Sequence, residues 1–337
     1  MKAMVLAAGL GTRLKPVTFG MPKPMVPVID RPCMAHLLAL LAKHDLTDAV
    51  ANLHYFPDTI RDHFGDGSAY GVDLTYNYEP ELLGTAGGVR AVADYLTEGS
   101  EPFLIISGDA LTDIDLTGLI ARHKSSGGIA TLTVKRVPDT REYGVVLHDA
   151  AGRITGFQEK PEPEDALSDL GNCGIYVFSP EIFDHFPERE FVDWAQDVFP
   201  ALLEEDIPFH IHEIDDYWND VGSLGELREG TFDALTGAID LGIAGTGPEA
   251  AHSGTPGILE RLELREGPVW IGSDVTLGEG VRLQGPVVIG DGARIGSGAA
   301  LRESIVFPGG EVPADSLAIG AILGPADVVG GMRPQHN

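Results

Sequence analysis

Residues 1–29 read MKAMVLAAGLGTRLKPVTFGMPKPMVPVI, and within them AMVLAA (3–8) runs straight into GLGTRL (9–14). A short continuous apolar run cut off by glycines is the pattern of a buried strand that ends in a tight turn. Glycines there let backbone N–H groups approach an anion closely, and a cation, Arg13, follows. The same residues hold Lys2, Arg13, Lys15 and Lys23 without one Asp or Glu, although the whole chain has 51 acidic against 23 basic residues. Working outward, DAVANLHY, FLIISGD and ATLTVKRV read as further strands, Leu37–Leu41 as part of a helix, and DLTGLIARHKSSG as a helix with a glycine at its stop. Such alternation predicts an α/β fold with a mostly parallel sheet covered by helices on both faces, and ligands beyond the carboxyl ends of its strands.

A net charge of −28 argues against nucleic acid and against a membrane surface as partners, since both polyanions are repelled at long range. Small anions are different, because a phosphate needs only a local cationic pocket. The run Ala3–Leu10 is short and is followed at once by Arg13 and Lys15, unlike a secretory signal, and no stretch approaches the ~20 apolar residues of a membrane span. Two cysteines, Cys33 and Cys173, make no disulfide framework, so a cytoplasmic location is expected. The histidines, His54 and His63 among them, show no metal-ligand spacing and read as core or surface residues.

After about residue 235 the composition changes, and TGAIDLGIAGTGPEAAHSGTPG reads as a linker. Beyond it Ile271, Leu277, Leu283, Ile289, Ile295, Leu301 and Phe307 stand six apart, with Val269, Val275, Val281, Val287, Ala293 and Ala299 two before the first six. A six-residue period matches no helix; it predicts a β-helix that stacks one large aliphatic side chain inward per short strand. The expected organisation is a catalytic domain over 1–235, a linker over 236–265 and a repeat domain over 266–337.

LAAGLGTRL is neither a dinucleotide-binding fingerprint nor a GxxxxGK[ST] phosphate loop. Joined to RLKPVTFGMPKPM it gives G-x-G-T-R-L-x-P-x-T followed by P-K-P-M, which resembles the signature of the sugar-1-phosphate nucleotidylyltransferases. The resemblance continues through EPELLGTAGGV (79–89), SGDALTD, YGVV (143–146), FQEKP (157–161), GNCGIYVF (171–178) and WNDVG (218–222), in the family's order over about 220 residues, and on into the hexapeptide repeats that several branches append. It implies a Rossmann-like sheet with a C-terminal left-handed β-helix. It also implies nucleotide binding by Leu6, Ala7, Ala8, Gly9, Gly11, Thr12, Arg13, Lys23, Glu79, Gly84, Thr85 and Ala86. For the sugar phosphate it implies Gly144, Glu159, Lys160, Asn172 and Gly174, and for a magnesium ion Asp109 and Asp220. Arg13, Lys23, Asp109 and Asp220 are the implied catalytic set.

The chemistry this implies is attack of a sugar-1-phosphate oxygen on the α-phosphorus of a nucleoside triphosphate, with pyrophosphate leaving; neutralisation and alignment suffice, and no covalent nucleophile is needed. Glu79 lies where many members that use thymidine or uridine nucleotides carry Gln. An acceptor-only carboxylate suits the ring N–H and amine of guanine, so GTP with mannose-1-phosphate is the first expectation and thymidylyl or uridylyl transfer to glucose-1-phosphate the alternative. GGVR after LGTA departs from the Pro-Leu that guanylyltransferases often carry. Two other classes stay open, an acyltransferase built on the repeats and a catalytically inactive regulatory subunit. The lack of a histidine between His252 and His336 speaks against the first, and the retained Arg13, Lys23, Asp109, Lys160 and Asp220 against the second. A short β-helix leaves ends and edges that need covering, so a homo-oligomer is expected.

Overall fold

The computed structural model describes residues 1–325; residues 326–337, which include His336 and the end of the expected repeat domain, lie outside the described residues. The chain divides into two compact units. One comprises Met1–Gly9, Leu37–Ala110 and Ile114–Trp218; the other comprises Leu10–His36, Leu111–Asp113 and the chain from Asn219 onward.

In the first unit a nine-stranded sheet holds β1 (Lys2–Leu6), β2 (Asp48–Leu53), β3 (Asp73–Tyr78), β4 (Phe103–Ser107), β5 (Ala130–Arg136), β6 (Gly144–His148), β7 (Ile154–Glu159), β8 (Leu170–Phe178) and β9 (His210–Glu213). The spatial order is β7-β6-β8-β4-β1-β2-β3, with β5 also paired to β8, and β9 to β5. β4, β1, β2 and β3 run parallel; β4, β1 and β2 are nearly unbroken apolar runs of the kind found in strands buried on both faces, whereas the edge strand β3 is polar and largely exposed. β8 runs antiparallel to β4 and β5, and β6 and β7 form an antiparallel hairpin. The hairpin is forced by its connection: Asp149 Oδ1 accepts from Ala151 N and Arg153 N at 2.9 and 3.0 Å, a tight turn too short for a parallel crossover. The core is aromatic on one side, where Phe178 stacks on Trp194 at 4.4 Å and Phe199 and Phe209 lie fully buried. From β1 the chain moves outward through β2 and β3 and then returns to place β4 on the other side of β1. That reversal makes a crevice at the carboxyl ends of β1 and β4, where open α/β sheets bind ligands.

In the second unit the helix Leu224–Thr236 packs on the two-residue strand Pro27–Val28. Ser223 caps it, its Oγ accepting from Glu226 N at 3.2 Å, while Glu226 Oε2 accepts from Gly222 N at 3.1 Å. The repeats form three parallel sheets of five, four and three short strands, wound as the left-handed β-helix of hexapeptide repeats. Ala251–Ser253 pairs with Val269–Ile271, and Leu264–Glu266 with Arg282–Gln284, so the stretch read as a linker already supplies two rungs. The inward column from Ile271 to Leu301 is buried as the six-residue lattice requires. At Phe307 the lattice fails, because Ile289 pairs with Val306 and it is Val306 that joins the core. The cause is one missing corner residue. Gly267-Pro268 and Gly285-Pro286 turn the earlier coils, whereas the later corners Glu303-Ser304 and Gly320-Ala321 lack the proline, and pairing shortens from 18 residues (Val269↔Val287) to 17 (Ile305↔Ile322). Among the described residues no helix is long and apolar enough to cross a membrane.

Candidate active site

The end of β1 and the end of β4 are paired side by side, Leu6 against Ser107. Gly108 N donates to Leu6 O at 2.9 Å, and a Cβ on Gly108 would lie 2.8 Å from that oxygen, so the two strand ends close on each other only through glycine. Asp109 follows, its Oδ1 accepting from Ser107 Oγ at 2.5 Å. Beside them opens a cavity of about 290 Å³. Leu6 lines it from the end of β1 with Ala8 and Gly9 from the turn after it, Ser107 from the end of β4 with Asp109 just beyond, and Glu79, Leu82, Gly84 and Thr85 from the segment after β3. Ala7 and Ala86 are buried next to these positions.

The GTAG segment is held from far along the chain. Ala86 N and Gly87 N both donate to Val192 O at 2.9 Å, Val192 N returns a bond to Leu83 O, and Thr85 Oγ1 donates to Asp193 Oδ2 at 2.8 Å. Gly84 has φ +82°, and a Cβ there would sit 2.4 Å from Val192 O, so this turn admits only glycine. Phe191 and Asp193 also line the cavity, as does Asn52 from β2. The sequence reading missed all three. Asn52 had a signal, a polar residue in the apolar run of DAVANLHY; Asp193 had one too, the capping position before WAQDV, where its Oδ1 accepts from Ala195 N and Gln196 N. Phe191 had none.

The residues implied for the sugar phosphate gather on β6, β7 and β8. Gly144 pairs directly with Glu159, and a Cβ on Gly144 would meet Glu159 Oε2 at 3.2 Å. Lys160, at φ +46°, donates its backbone N–H to Tyr143 O at 3.2 Å, which turns the chain out of the hairpin. Asn172 and Gly174 mark an irregularity in the pairing of β8 with β5: Asn172 Oδ1 accepts from Gly174 N, Gly174 has φ +70°, and Trp218 Nε1 donates to Cys173 O at 3.0 Å. A Cβ on Gly174 would lie 3.5 Å from Ser107 Cβ, which sets this bulge against the strand end that carries Asp109.

The remaining implied residues belong to the second unit. Gly11, at φ +60°, packs so closely that a Cβ would touch Thr18 Cγ2 at 2.9 Å and Lys23 Cβ at 3.0 Å, while Thr18 Oγ1 donates to Gly11 O at 2.7 Å. Lys23 is thereby anchored by its stem between Pro22 and Pro24, beside the turn Thr12–Leu14 that carries Arg13. Arg13 Nη2 stands 3.8 Å from Asp220 Oδ2. Ser223, not Asp220, caps the helix that follows. Among the described residues no group of three or more His, Cys, Asp or Glu forms a metal cage. Carboxylate oxygens such as those of Asp109 and Asp220 nevertheless suit Mg²⁺, which takes one or two protein carboxylates and keeps several waters.

A nucleotidyl transferase family model matches residues 2–236, and a model of six bacterial transferase hexapeptide repeats matches 268–303. The UTP–glucose-1-phosphate uridylyltransferase of Synechocystis is 36% identical over 302 residues, spanning 84% of this chain and 76% of the relative. The mannose-1-phosphate guanylyltransferase of Mycobacterium tuberculosis is 35% identical over 287 residues, spanning 83% and 77%. Among solved structures, HddC from Yersinia pseudotuberculosis superposes with a TM-score of 0.60 at 24% identity, over 68% of this chain and 97% of that one.

Proposed function

The chain belongs to the nucleotidyl transferase family, and from that premise we propose that it joins a nucleoside triphosphate to a sugar-1-phosphate, with GTP and mannose-1-phosphate as the first pair. The observation that carries the reading is the cavity at the ends of β1 and β4, lined by Gly9 on one side, Asp109 on another and Gly84-Thr85 on a third. Several similar proteins named as mannose-1-phosphate guanylyltransferases support the choice of pair. UTP with glucose-1-phosphate is the second reading, favoured by the Synechocystis relative.

In the proposed reaction a sugar-phosphate oxygen forms a bond to the α-phosphorus, the bond to the bridging oxygen breaks, and pyrophosphate leaves with the electron pair. Backbone N–H groups of the turn from Ala8 to Thr12 face triphosphate oxygens; Arg13 stabilises the leaving pyrophosphate; Lys23 and Lys160 steer the two phosphates. Glu79, Gly84, Thr85 and Ala86 bound the base, and Gly144, Glu159, Asn172 and Gly174 the sugar phosphate. Asp109 and Asp220 are the proposed carboxylates for Mg²⁺, which when bound neutralises phosphate charge and polarises the α-phosphate. We place the protein in the cytoplasm as a homo-oligomer. The test is a panel of the common triphosphates against mannose-1-phosphate and glucose-1-phosphate, read as pyrophosphate release. One pair should turn over and EDTA should stop it; a folded protein that turns over none of them overturns the enzyme reading.

A further inference from the structure

The cavity floor, on the nucleotidyl-transfer reading of the site, is built around Asn52, a side chain outside the proposed catalytic and binding set. Asn52, near the end of β2, is 3% exposed. Its Oδ1 accepts from Ala7 N at 2.8 Å. A backbone N–H only donates, so the amide has one orientation and its Nδ2 must point the other way. There it donates to Glu79 Oε1 at 2.7 Å, while Glu79 Oε2 accepts from Leu83 N at 3.2 Å. Position 79 is therefore asked for two acceptors by two donors that cannot change, and Glu79 is only 1% exposed. A carboxylate meets that demand. An amide does not, since Gln would turn its NH₂ onto either Asn52 Nδ2 or Leu83 N–H. Gly88 belongs to the same arrangement: a Cβ there would lie 2.5 Å from Glu79 Oε1 and 2.8 Å from Asn52 Nδ2.

We infer that Asn52 is a positioning residue which ties the first peptide after β1 to Glu79, and that the carboxylate at position 79 is dictated by this chain of donors, not by the base. The end of the phosphate-facing strand and the floor of the base pocket are thereby set at a fixed separation. The choice among triphosphates falls to other groups of the cavity.

The experiment is a reciprocal exchange. Glu79→Gln should raise the KM for the triphosphate about tenfold or more, as expected for one buried unsatisfied donor, leave the KM for the sugar-1-phosphate unchanged and lower the Tm. Adding Asn52→Asp should repair it, because Asp offers one oxygen to Ala7 N–H and the other to the Gln NH₂, while the Gln oxygen serves Leu83 N–H. The double variant should recover triphosphate KM and Tm and keep the native preference among triphosphates. Asn52→Asp alone should set two carboxylates face to face and give a loss of Tm that shrinks as pH is lowered and one takes a proton. A double variant no better than Glu79→Gln, or one whose preferred triphosphate has changed, overturns the inference. Should the native protein turn over no substrate pair, the functional reading fails, while recovery of Tm in the double variant still decides for or against the network.

Discussion

At the scale of single residues, charge and protonation give the clearest expectations. Asp109→Asn keeps the hydrogen bond from Ser107 but removes a charge from the cavity; kcat should fall about 10²–10³-fold, the range for losing one electrostatic contact to a transition state. Asp220→Asn should do the same. Its partner Arg13 is half exposed, so loss of that ion pair should cost less than about 1 kcal/mol of stability, and normal turnover with a large loss of Tm in either variant would assign these carboxylates to the fold. His36 gives a pH effect. Burial lowers its pKa from 6.5 to about 4, and its ring is neutral, Nε2 donating to Val28 O at 3.0 Å. The unfolded chain takes up the proton first as pH falls, so the stability His36 contributes is complete above pH 6.5 and is lost as pH falls through 4. The total is on the order of 3 kcal/mol, and His36→Gln should flatten that part of a Tm-against-pH profile measured from pH 7 to 4. Cavity-lining residues were legible where chemistry clusters along the chain, as in LAAGLGTRL, which supplies Leu6, Ala8 and Gly9, and SGDALTD, which supplies Ser107 and Asp109. Phe191 was not, because what places it is the pairing of Val192 with Leu83 and Ala86, more than a hundred positions away.

At the scale of elements, backbone geometry decides. Gly84→Ala would force a Cβ onto Val192 O at a φ of +82°, so about 1–3 kcal/mol or more should be lost. The triphosphate KM should rise with it, since the displaced turn lines the cavity; denaturant titration and initial rates check both. In the β-helix, Leu283 is fully buried in the aliphatic column, and Leu283→Ala should cost about 2–5 kcal/mol. β1, β2, β4, β5 and the repeat strands were legible because apolar runs and a six-residue lattice are local patterns, whereas β3, β6, β7, β8 and β9 were not read as strands. Strand direction was hidden too: β8 has the same buried apolar run as β4 yet runs against it, and nothing in its composition states the direction. The slip at Phe307 was equally hidden, since Val306 and Phe307 are both apolar and only the corner Glu303-Ser304, one residue shorter than the facing Gly285-Pro286-Val287, tells which turns inward.

At the scale of the molecule, a catalytic segment followed by a β-helix was legible from the change in composition, while the grouping of Leu10–His36 with the chain after Asn219 was not, because it depends on contacts between distant segments. The β-helix also carries the expectation of self-association. Leu317 and Ile319, on its last described rung of one face, are 58% and 59% exposed. Light scattering at micromolar concentration should give an oligomer, and Leu317→Lys with Ile319→Lys should move the mass toward a monomer; an unchanged assembly would place the contact elsewhere. The corners of this domain have a further effect. A Cβ on Gly278 would strike Ser297 N at 2.3 Å, and one on Gly296 would strike Ala314 N at 2.3 Å, so each turn sits on the backbone of the turn one coil away. Insertions that part these turns are resisted, whereas a whole added or deleted coil leaves every corner with a matching neighbour. The domain can then evolve in length only by discrete steps, each changing its reach by about 4.8 Å, the spacing of adjacent strands. It is a ruler with fixed graduations, and a lineage can reset the distance it spans without redesigning a single contact within a coil.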